Sequence, residues 1–449
     1  MLPDDVLLEI FDFYVVRISR RRADVESWQL LVHVCRRWRC LVFGSPRRLN
    51  LQLFCTPETR IRDTLDVWPA LPLVLYHGAY MALSSPGMVN VLAALEQSNR
   101  VSEVTFTLSF GSQLEEVLAV MQVPFPELTN LRLMSNDETL PVIADPFLGG
   151  SAPRLRSLML DGIILPGLPK LLLSAPHLVK LDLRDIPDPG YTPPEAMATC
   201  LSALTSLHTL CLEFRSGPDR ESRHSPPMTR SILPDLASIR FKGASEYLDY
   251  LVAWIDAPRL NELSITFFPQ INFDTPHLVQ FISRTPGFKE PNEAHVNLNP
   301  DAEVRLVWAS DGYGSVGKLC VKILCEESDP QLLFIVQVCT MCLPPFPTVE
   351  NFRLGVFTER LYSETDWTDD VGQWWDLLRP FTAVKNLYIS EGFQLNMAFA
   401  LRELAGGRTT EVLPSLQNIF LERFEPYSQE AIRVFIATRQ LSGRPIAVL

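Results

Sequence analysis

The segment with the clearest chemical potential is glycine-rich, Gly312-Tyr-Gly-Ser-Val-Gly-Lys318. It matches the start of a phosphate-binding loop, in which backbone amides and a lysine hold phosphate groups. Leu319, however, stands where such a loop needs Ser or Thr for magnesium. Residues 319–324 also alternate like a strand, whereas the motif needs a helix N-terminus there. We therefore interpret the segment as a glycine turn. An enzyme that binds phosphate groups through this loop remains an alternative, ranked third after the two functions given at the end of this section.

Cys339 and Cys342 have the spacing of a metal or redox pair. No second cysteine pair or histidine pair lies at zinc-ligand distance in the sequence, and the surrounding stretch has the pattern of an apolar helix. The seven histidines are spread along the chain without local companions, and no hydrolase or metalloprotease motif is present. The sequence thus predicts a protein that is not an enzyme and that needs no metal or cofactor.

Two further segments have two interpretations each. Residues 367–376 combine tryptophan with acidic residues, as a surface for a basic peptide would, but Trp374 and Trp375 also fit the outer helix of a repeat. Arg20-Arg21-Arg22 could serve nuclear import or phosphate contact, but three arginines in a loop are more often solvated. We favour the structural interpretation of both segments.

The composition is that of a folded intracellular protein. Its 449 residues suffice for two or more structural units, and 47% hydrophobic with 20% charged residues argues against disorder. The net charge of −12 disfavours nucleic acid and acidic membrane surfaces as partners. Nine scattered cysteines and an acidic N-terminus predict a reducing compartment without export, hence the cytoplasm, the nucleus or both. The apolar stretch 332–343 is too short to span a membrane.

The first fifty residues predict a small helical module. Pro3 with Asp4 and Asp5 favours a helix start, and apolar residues follow at intervals of three and four up to Tyr14. The same spacing resumes at Trp28 and continues to Val42. A unit of this size buries little surface alone, so we expect part of its apolar surface to meet a partner.

Within this module, Leu2-Pro-Asp-Asp-Val-Leu-Leu-Glu-Ile-Phe11, Val34-Cys-Arg-Arg-Trp38 and Leu41 resemble the F-box of fungal-type F-box proteins. The resemblance covers residues 2–50 and implies three helices that dock on the Skp adaptor and, through it, on a cullin. The stretch 13–28 is longer than the usual connection, and Leu49 stands where related sequences often carry Trp. The alternative is a helical cap on the next domain. The residues at the implied docking and core positions are Leu2, Pro3, Leu7, Ile10, Phe11, Leu31, Val34, Cys35 and Trp38.

A second pattern, Leu-x-x-Leu-x-Leu, recurs after residue 70. Its clearest copy, Pro126–Leu133, is followed by Asn136, which completes the leucine-rich-repeat consensus. Neighbouring copies start 23 to 35 residues apart, except for one interval of 56 that has room for a degenerate copy around Val296-Asn-Leu298. The eleven copies start at Val101, Leu128, Leu155, Leu178, Leu207, Leu236, Leu260, Val316, Val349, Val384 and Leu416.

Each copy has the period of two of a strand, and the segments between copies are helical in pattern. Each element would leave one apolar face exposed unless the next repeat covered it, so the copies should stack. We predict an α/β leucine-rich-repeat solenoid, with parallel strands inside and helices outside, that resembles the F-box and leucine-rich-repeat proteins. The predicted domains are an F-box module at 1–50, a linker or first capping segment at 51–70 and the solenoid with a C-terminal cap at 71–449.

Two stretches interrupt the repeats. Residues 215–230 lack periodicity and predict an exposed loop. Residues 303–324 alternate on both sides of Asp311-Gly-Tyr-Gly314, which is consistent with a hairpin inserted in the solenoid or with a regular repeat. The hairpin would explain the long interval.

What the resemblance implies is a substrate-recognition subunit of a Skp–cullin–F-box ubiquitin ligase, whose repeats hold an unknown protein target for ubiquitin-dependent degradation. The alternative is a non-catalytic scaffold that does not deliver targets. Target contacts are expected at the positions between the leucines, which face away from the core. The net charge outside the module, −15, weakly favours a basic target segment. The candidate target-binding residues are Asn130, Arg132, Ser157, Lys180, Asp182 and Arg240.

Overall fold

The computed structural model forms two compact units, Met1–Tyr191 and Thr192–Leu449. It describes residues 2–19, 27–78, 83–108, 110–135, 141–143, 145–217, 229–270, 273–298, 301–308, 318–325, 331–355, 371–390, 397, 400–401, 412–422 and 426–449.

The first unit begins with three helices and continues as a parallel sheet with connecting helices. Its helices are α1 Asp4–Ser19, α2 Ser27–Val34, α3 Arg36–Gly44, α4 Ile61–Val67, α5 Ser85–Leu95, α6 Gly111–Val120 and α7 Leu168–Leu173. Its strands are β1 Leu53–Cys55, β2 Leu73–His77, β3 Val101–Leu108, β4 Asn130–Ser135, β5 Ser157–Asp161 and β6 Lys180–Ile186. These strands pair in chain order and all in parallel, so each repeat adds one strand beside the previous one.

The core of this sheet is a ladder of leucines. Leu131, Leu158 and Leu181 lie at the same register position of three adjacent strands, and each is at most 1% exposed. Right-handed parallel crossovers place the connecting segments on one side of such a sheet. The leucines face that side, and the residues between them face the other side, which we call the open face.

The second unit has the same plan of strands and connecting helices, with more strands. Its helices are α8 Pro194–Ser202, α9 Ser245–Ala253, α10 Pro276–Arg284, α11 Gln331–Gln337, α12 Val371–Leu378 and α13 Pro426–Leu441, with a π-helical turn, Val338–Cys342, after α11. Its strands are β7 Thr209–Phe214, β8 Ser231–Ile232, β9 Ser238–Gly243, β10 Ile255–Asp256, β11 Glu262–Phe267, β12 Glu293–Leu298, β13 Ala302–Val307, β14 Lys318–Ile323, β15 Asn351–Gly355, β16 Asn386–Ile389, β17 Asn418–Leu421 and β18 Ala447–Val448.

The strand order in this unit is β7-β9-β11-β14-β13-β12-β15-β16-β17-β18, with β8 and β10 paired separately. β13 is antiparallel to both β12 and β14, whereas the other neighbours in the large sheet are parallel. The predicted hairpin within 303–324 is therefore confirmed, and the degenerate copy around Val296 is strand β12. The glycine turn at 309–317 lies outside the described residues.

All eleven predicted copies coincide with strands, namely β3–β7, β9, β11 and β14–β17. The repeating strands and outer helices confirm the predicted α/β leucine-rich-repeat fold. Residues 51–70 hold β1 and α4, and β1 pairs with β2, so the sheet begins before the first recognised copy. Most of the predicted loop at 215–230 lies outside the described part of the chain.

Candidate interaction surfaces

The N-terminal helices have an apolar interior of their own. Leu7, Phe11 and Leu31 are buried, and the Phe11 ring packs edge-on against Trp38 with centroids 4.8 Å apart. Cys35 caps α3, because its Sγ accepts a bond from the Trp38 amide at 3.5 Å. Leu7, Phe11, Leu31 and Trp38 therefore stabilise the module from inside, and the exposed Cys35 fixes the start of α3.

Arginines of α3 and of the following turn connect back to α1 and to the residues just before it. Arg37 donates to the Leu2 carbonyl oxygen at 2.6 Å and to the Asp4 carboxylate at 2.5 Å. Arg48 pairs with Glu9 at 2.5 Å. Arg37 thus holds the backbone at the start of α1 in place, next to the first residues of the F-box-like segment.

Trp68 joins the module to the residues that follow it. Its ring packs edge-on against Trp28 and Phe43, with centroids 5.2 and 6.3 Å away. The Trp28 indole also donates to the Gln52 carbonyl oxygen at 3.0 Å. The helices are therefore supported by the first strand and helix of the repeat region and not by their own core alone.

The same helices expose apolar side chains to solvent. On α1 and just before it, Leu2, Val6, Ile10 and Phe13 recur at helical spacing, and each is 42 to 66% exposed. On α2, Leu30 and Val34 are one turn apart, and each is almost 60% exposed. We call these six residues the apolar stripes. Large apolar side chains clustered in this way on a small module are typical of a binding surface.

The nine predicted adaptor residues divide into two groups. Leu2, Pro3, Ile10, Val34 and Cys35 are exposed and can contact a partner directly. Leu7, Phe11 and Leu31 are interior and Trp38 is half-buried, so they act by supporting the surface. Three exposed residues, Val6, Phe13 and Leu30, were not among the predicted set, although the i, i+4, i+7 spacing of Val6, Ile10 and Phe13 could have shown that they share one face.

Five of the six predicted target residues lie on the open face of the first unit, because each is next to a buried leucine of its strand. Arg240 lies on the corresponding face of the second unit, between the buried Ile239 and Phe241. Lys180 and Arg240 are exposed, and Asn130, Arg132 and Ser157 are half-buried. Asp182 is the exception, with 1% of its side chain exposed under Lys180 at 3.1 Å and Arg184 at 2.8 Å. Asp182 therefore orients these two cations and is not itself accessible to a target.

A continuous row of side chains crosses the open face of the second unit. The register places Arg305 beside His295, then Arg353, Tyr388 and Phe420, on five neighbouring strands. The Arg353 guanidinium lies 3.9 Å from the Tyr388 ring centroid, and Tyr388 stacks on Phe420 at 4.4 Å. Both faces of the Tyr388 ring are thus covered by its neighbours in the row.

Carboxylates hold the cations of this row in place. Glu293 pairs with Arg353 and lies 3.1 Å from His295, and Glu303 pairs with Arg305 at 2.5 Å. Burial lowers the pKa of His295, and the two nearby arginines lower it further, against the opposing effect of Glu293. His295 is therefore neutral at pH 7 and adds no charge to the row.

An asparagine ladder runs beside the row. The Asn386 side chain donates to Asn351 and the Asn418 side chain donates to Asn386, both at 2.8 Å. The sequence signal for this ladder is an Asn at the same position of three consecutive copies, in Val349-Glu-Asn, Val384-Lys-Asn and Leu416-Gln-Asn. These asparagines lie near the start of each copy and not at the consensus Asn position of the repeat, so the consensus does not predict the ladder.

The cysteine pair lies in the interior of the second unit. Cys339 and Cys342 are buried in the π-helical turn, and burial raises the pKa of both thiols, that of Cys342 to about 12. Within the described residues, no three potential metal-ligating side chains cluster. Trp374 and Trp375 belong to α12, as the structural interpretation of that segment predicted.

These thiols give a direct prediction, since only the thiolate reacts readily with alkylating reagents. We expect Cys339 and Cys342 to stay unmodified by iodoacetamide at pH 8 in the native protein, whereas the exposed Cys35 and Cys40 react. Peptide mass spectrometry after a short exposure would measure this, with urea-unfolded protein as the control. Rapid modification of Cys342 in the native protein would show that the turn opens.

No family model matches the sequence, and no curated protein matches it. Among solved structures, the chain is similar to the leucine-rich repeat-containing protein LegL7 from Legionella pneumophila, at 14% identity over 86% of this chain and 97% of that chain, with a TM-score of 0.28. The leucine-rich-repeat assignment rests on the repeats of this chain. Within the described residues, no helix is long and apolar enough to cross a membrane.

Proposed function

We propose that this protein is the substrate-recognition subunit of a Skp–cullin–F-box ubiquitin ligase. In this proposal the N-terminal module docks on the Skp adaptor, and the open face of the repeats holds a protein target. The protein makes no bond itself. It raises the effective concentration of a target lysine near the activated ubiquitin, which needs no catalytic residue in this chain.

The observation that carries the proposal is the pair of apolar stripes on the F-box-like helices. A module that served only to cap the repeats would turn its large apolar side chains inward. Here Ile10, Phe13, Leu30 and Val34 remain 47 to 66% exposed, although the module has its own buried core. An apolar partner would remove this area from water, with a gain of roughly 25 cal/mol per Å².

The test is reconstitution with purified Skp adaptor and cullin. We expect the full chain, the adaptor and the cullin to elute together, and we expect the complex to transfer ubiquitin to a protein captured by the repeats. Adaptor binding without cullin would favour the scaffold alternative, in which no target is delivered. Failure to bind the adaptor would contradict the ligase and would leave only a scaffold that binds another partner.

A further inference from the structure

The open face of the second unit differs in charge from the protein as a whole. The whole chain has 40 basic and 52 acidic residues. In the described strands β7 to β17, in contrast, the open face carries six cations, Arg240, Lys242, Arg305, Lys318, Lys322 and Arg353, and four carboxylates, Glu213, Glu262, Glu293 and Glu303, with a fifth carboxylate, Asp301, just before β13. The balance on this face is therefore positive in an acidic protein.

The cations of this face are also more exposed than the carboxylates, which adds to its positive character. In each ion pair of this surface the cation is more exposed than its carboxylate: Arg353 45% against Glu293 22%, Arg305 29% against Glu303 16%, and Lys322 36% against Asp301 17%. The carboxylates thus lie beneath the cations and fix them. A partner that approaches this face meets mainly guanidinium and ammonium groups.

Three cations on this face make no ion pair among the described residues. Arg240, Lys242 and Lys318 lie on β9 and β14 with one strand between them, and the register places Glu213 beside Lys242 and Glu262 beside Lys318 without a contact of ion-pair length. A buried cation without a partner costs free energy, whereas a cation exposed to water can form a charge-assisted hydrogen bond with a carboxylate of a partner. Arg240 and Lys318 are both exposed.

We infer that the open face of the Thr192–Leu449 unit binds an acidic protein segment in extended conformation. From β9 to β17 the face spans seven strand spacings of about 4.8 Å, or roughly 34 Å, which an extended segment of about ten residues covers. This inference rests on the proposed function and names the class of target. It replaces the basic target that the net charge favours.

A nucleic acid is a poorer match than an acidic protein segment. Single-stranded nucleic acids bind through bases stacked on open aromatic rings as well as through cations. The Tyr388 ring has no open face, because Arg353 covers one side and Phe420 covers the other. Amide and carboxylate groups of a peptide can instead pair with Arg240, Lys242 and Lys318 and with the asparagine ladder.

The experiment measures fluorescence anisotropy of labelled probes with the full chain at low salt. The probes are the ten-residue peptides (Glu-Ser)₅ and (Lys-Ser)₅ and a ten-nucleotide DNA strand. The variant Arg240→Glu, Lys242→Glu, Lys318→Glu is compared with a matched control, Arg259→Glu, Lys289→Glu, Arg379→Glu, whose residues are exposed and lie outside the strands. Both variants change the net charge equally, so long-range attraction is the same in both.

We expect the glutamate peptide to bind, the open-face variant to weaken this binding at least tenfold, and the control to weaken it less than threefold. Equal losses in both variants, no binding of the glutamate peptide, or tighter binding of the DNA strand would overturn the inference. If the open-face variant melts at lower temperature, the glutamine variants of the same residues replace it, with an expected loss of at least threefold. Adaptor affinity, measured on the same samples, should be unchanged, so a failure of the proposed function would appear there and not in peptide binding.

Discussion

Leu181→Asp is expected to destabilise the first unit by at least about 3 kcal/mol and to loosen more than its own repeat. The Leu181 side chain is fully buried in β6, in register with Leu158 of β5. Removal of a buried leucine alone costs about 2–5 kcal/mol, and an unpaired carboxylate in its place adds a desolvation cost. Because each repeat is stabilised by its neighbours, the loss should spread along the stack.

Hydrogen exchange would measure this spread. We expect faster exchange in β4 and β5 as well as in β6, while Val179→Asp, an adjacent position that is 41% exposed, stays within about 0.5 kcal/mol of the wild type. If the aspartate variant cannot be purified, Leu181→Ala replaces it in the same measurement, with a smaller expected loss of stability. Faster exchange limited to residues 180–186 would argue against stacking of the repeats.

The second large effect is expected at the apolar stripes. Ile10→Glu with Val34→Glu should weaken adaptor binding at least about thirtyfold, close to 2 kcal/mol, because each carboxylate would be buried against an apolar partner. Both residues are exposed in the free protein, so its folding should be unaffected. A substitution of the buried Leu7, in contrast, would destabilise the module, so a loss of adaptor binding could not be assigned to lost contacts alone.

The matched control for this variant is Val89→Glu with Leu173→Glu. These residues are about as exposed as Ile10 and Val34 but lie on α5 and α7 of the repeats. The control should bind the adaptor like the wild type, and both variants should keep the wild-type circular-dichroism spectrum. If the Ile10→Glu, Val34→Glu variant binds the adaptor with unchanged affinity, the apolar stripes are not the docking surface.

Much of the fold was predictable because the leucine spacing determines both the strand and its buried side. The spacing of Leu128, Leu131 and Leu133 predicts β4. The alternation along this strand places Asn130 and Arg132 on the open face, as observed. The hairpin of β13 and β14 was one of two predicted possibilities, because residues 303–324 alternate on both sides of Asp311-Gly-Tyr-Gly314. β1 was not predictable, because three residues are too short to show a period of two.

The candidate surfaces were only partly predictable because exposure depends on packing across the sequence. Phe11 and Phe13 are equivalent in residue type, but Phe11 is buried against Trp38 and Phe13 is exposed. The net charge likewise counts all residues equally. The charge that a partner meets at one surface depends instead on which member of each ion pair is less buried. Asp182 under Lys180 shows that a charged position between leucines can be inaccessible.

Docking of the N-terminal module on the Skp adaptor can be measured by titration calorimetry of purified adaptor into the full chain. We expect saturable one-to-one binding with a negative heat-capacity change, because apolar surface is buried. We also expect the Ile10→Glu, Val34→Glu variant to lose this signal while the Val89→Glu, Leu173→Glu control keeps it. Absence of binding by the wild-type protein at adaptor concentrations of tens of micromolar would show that the module does not dock on the adaptor.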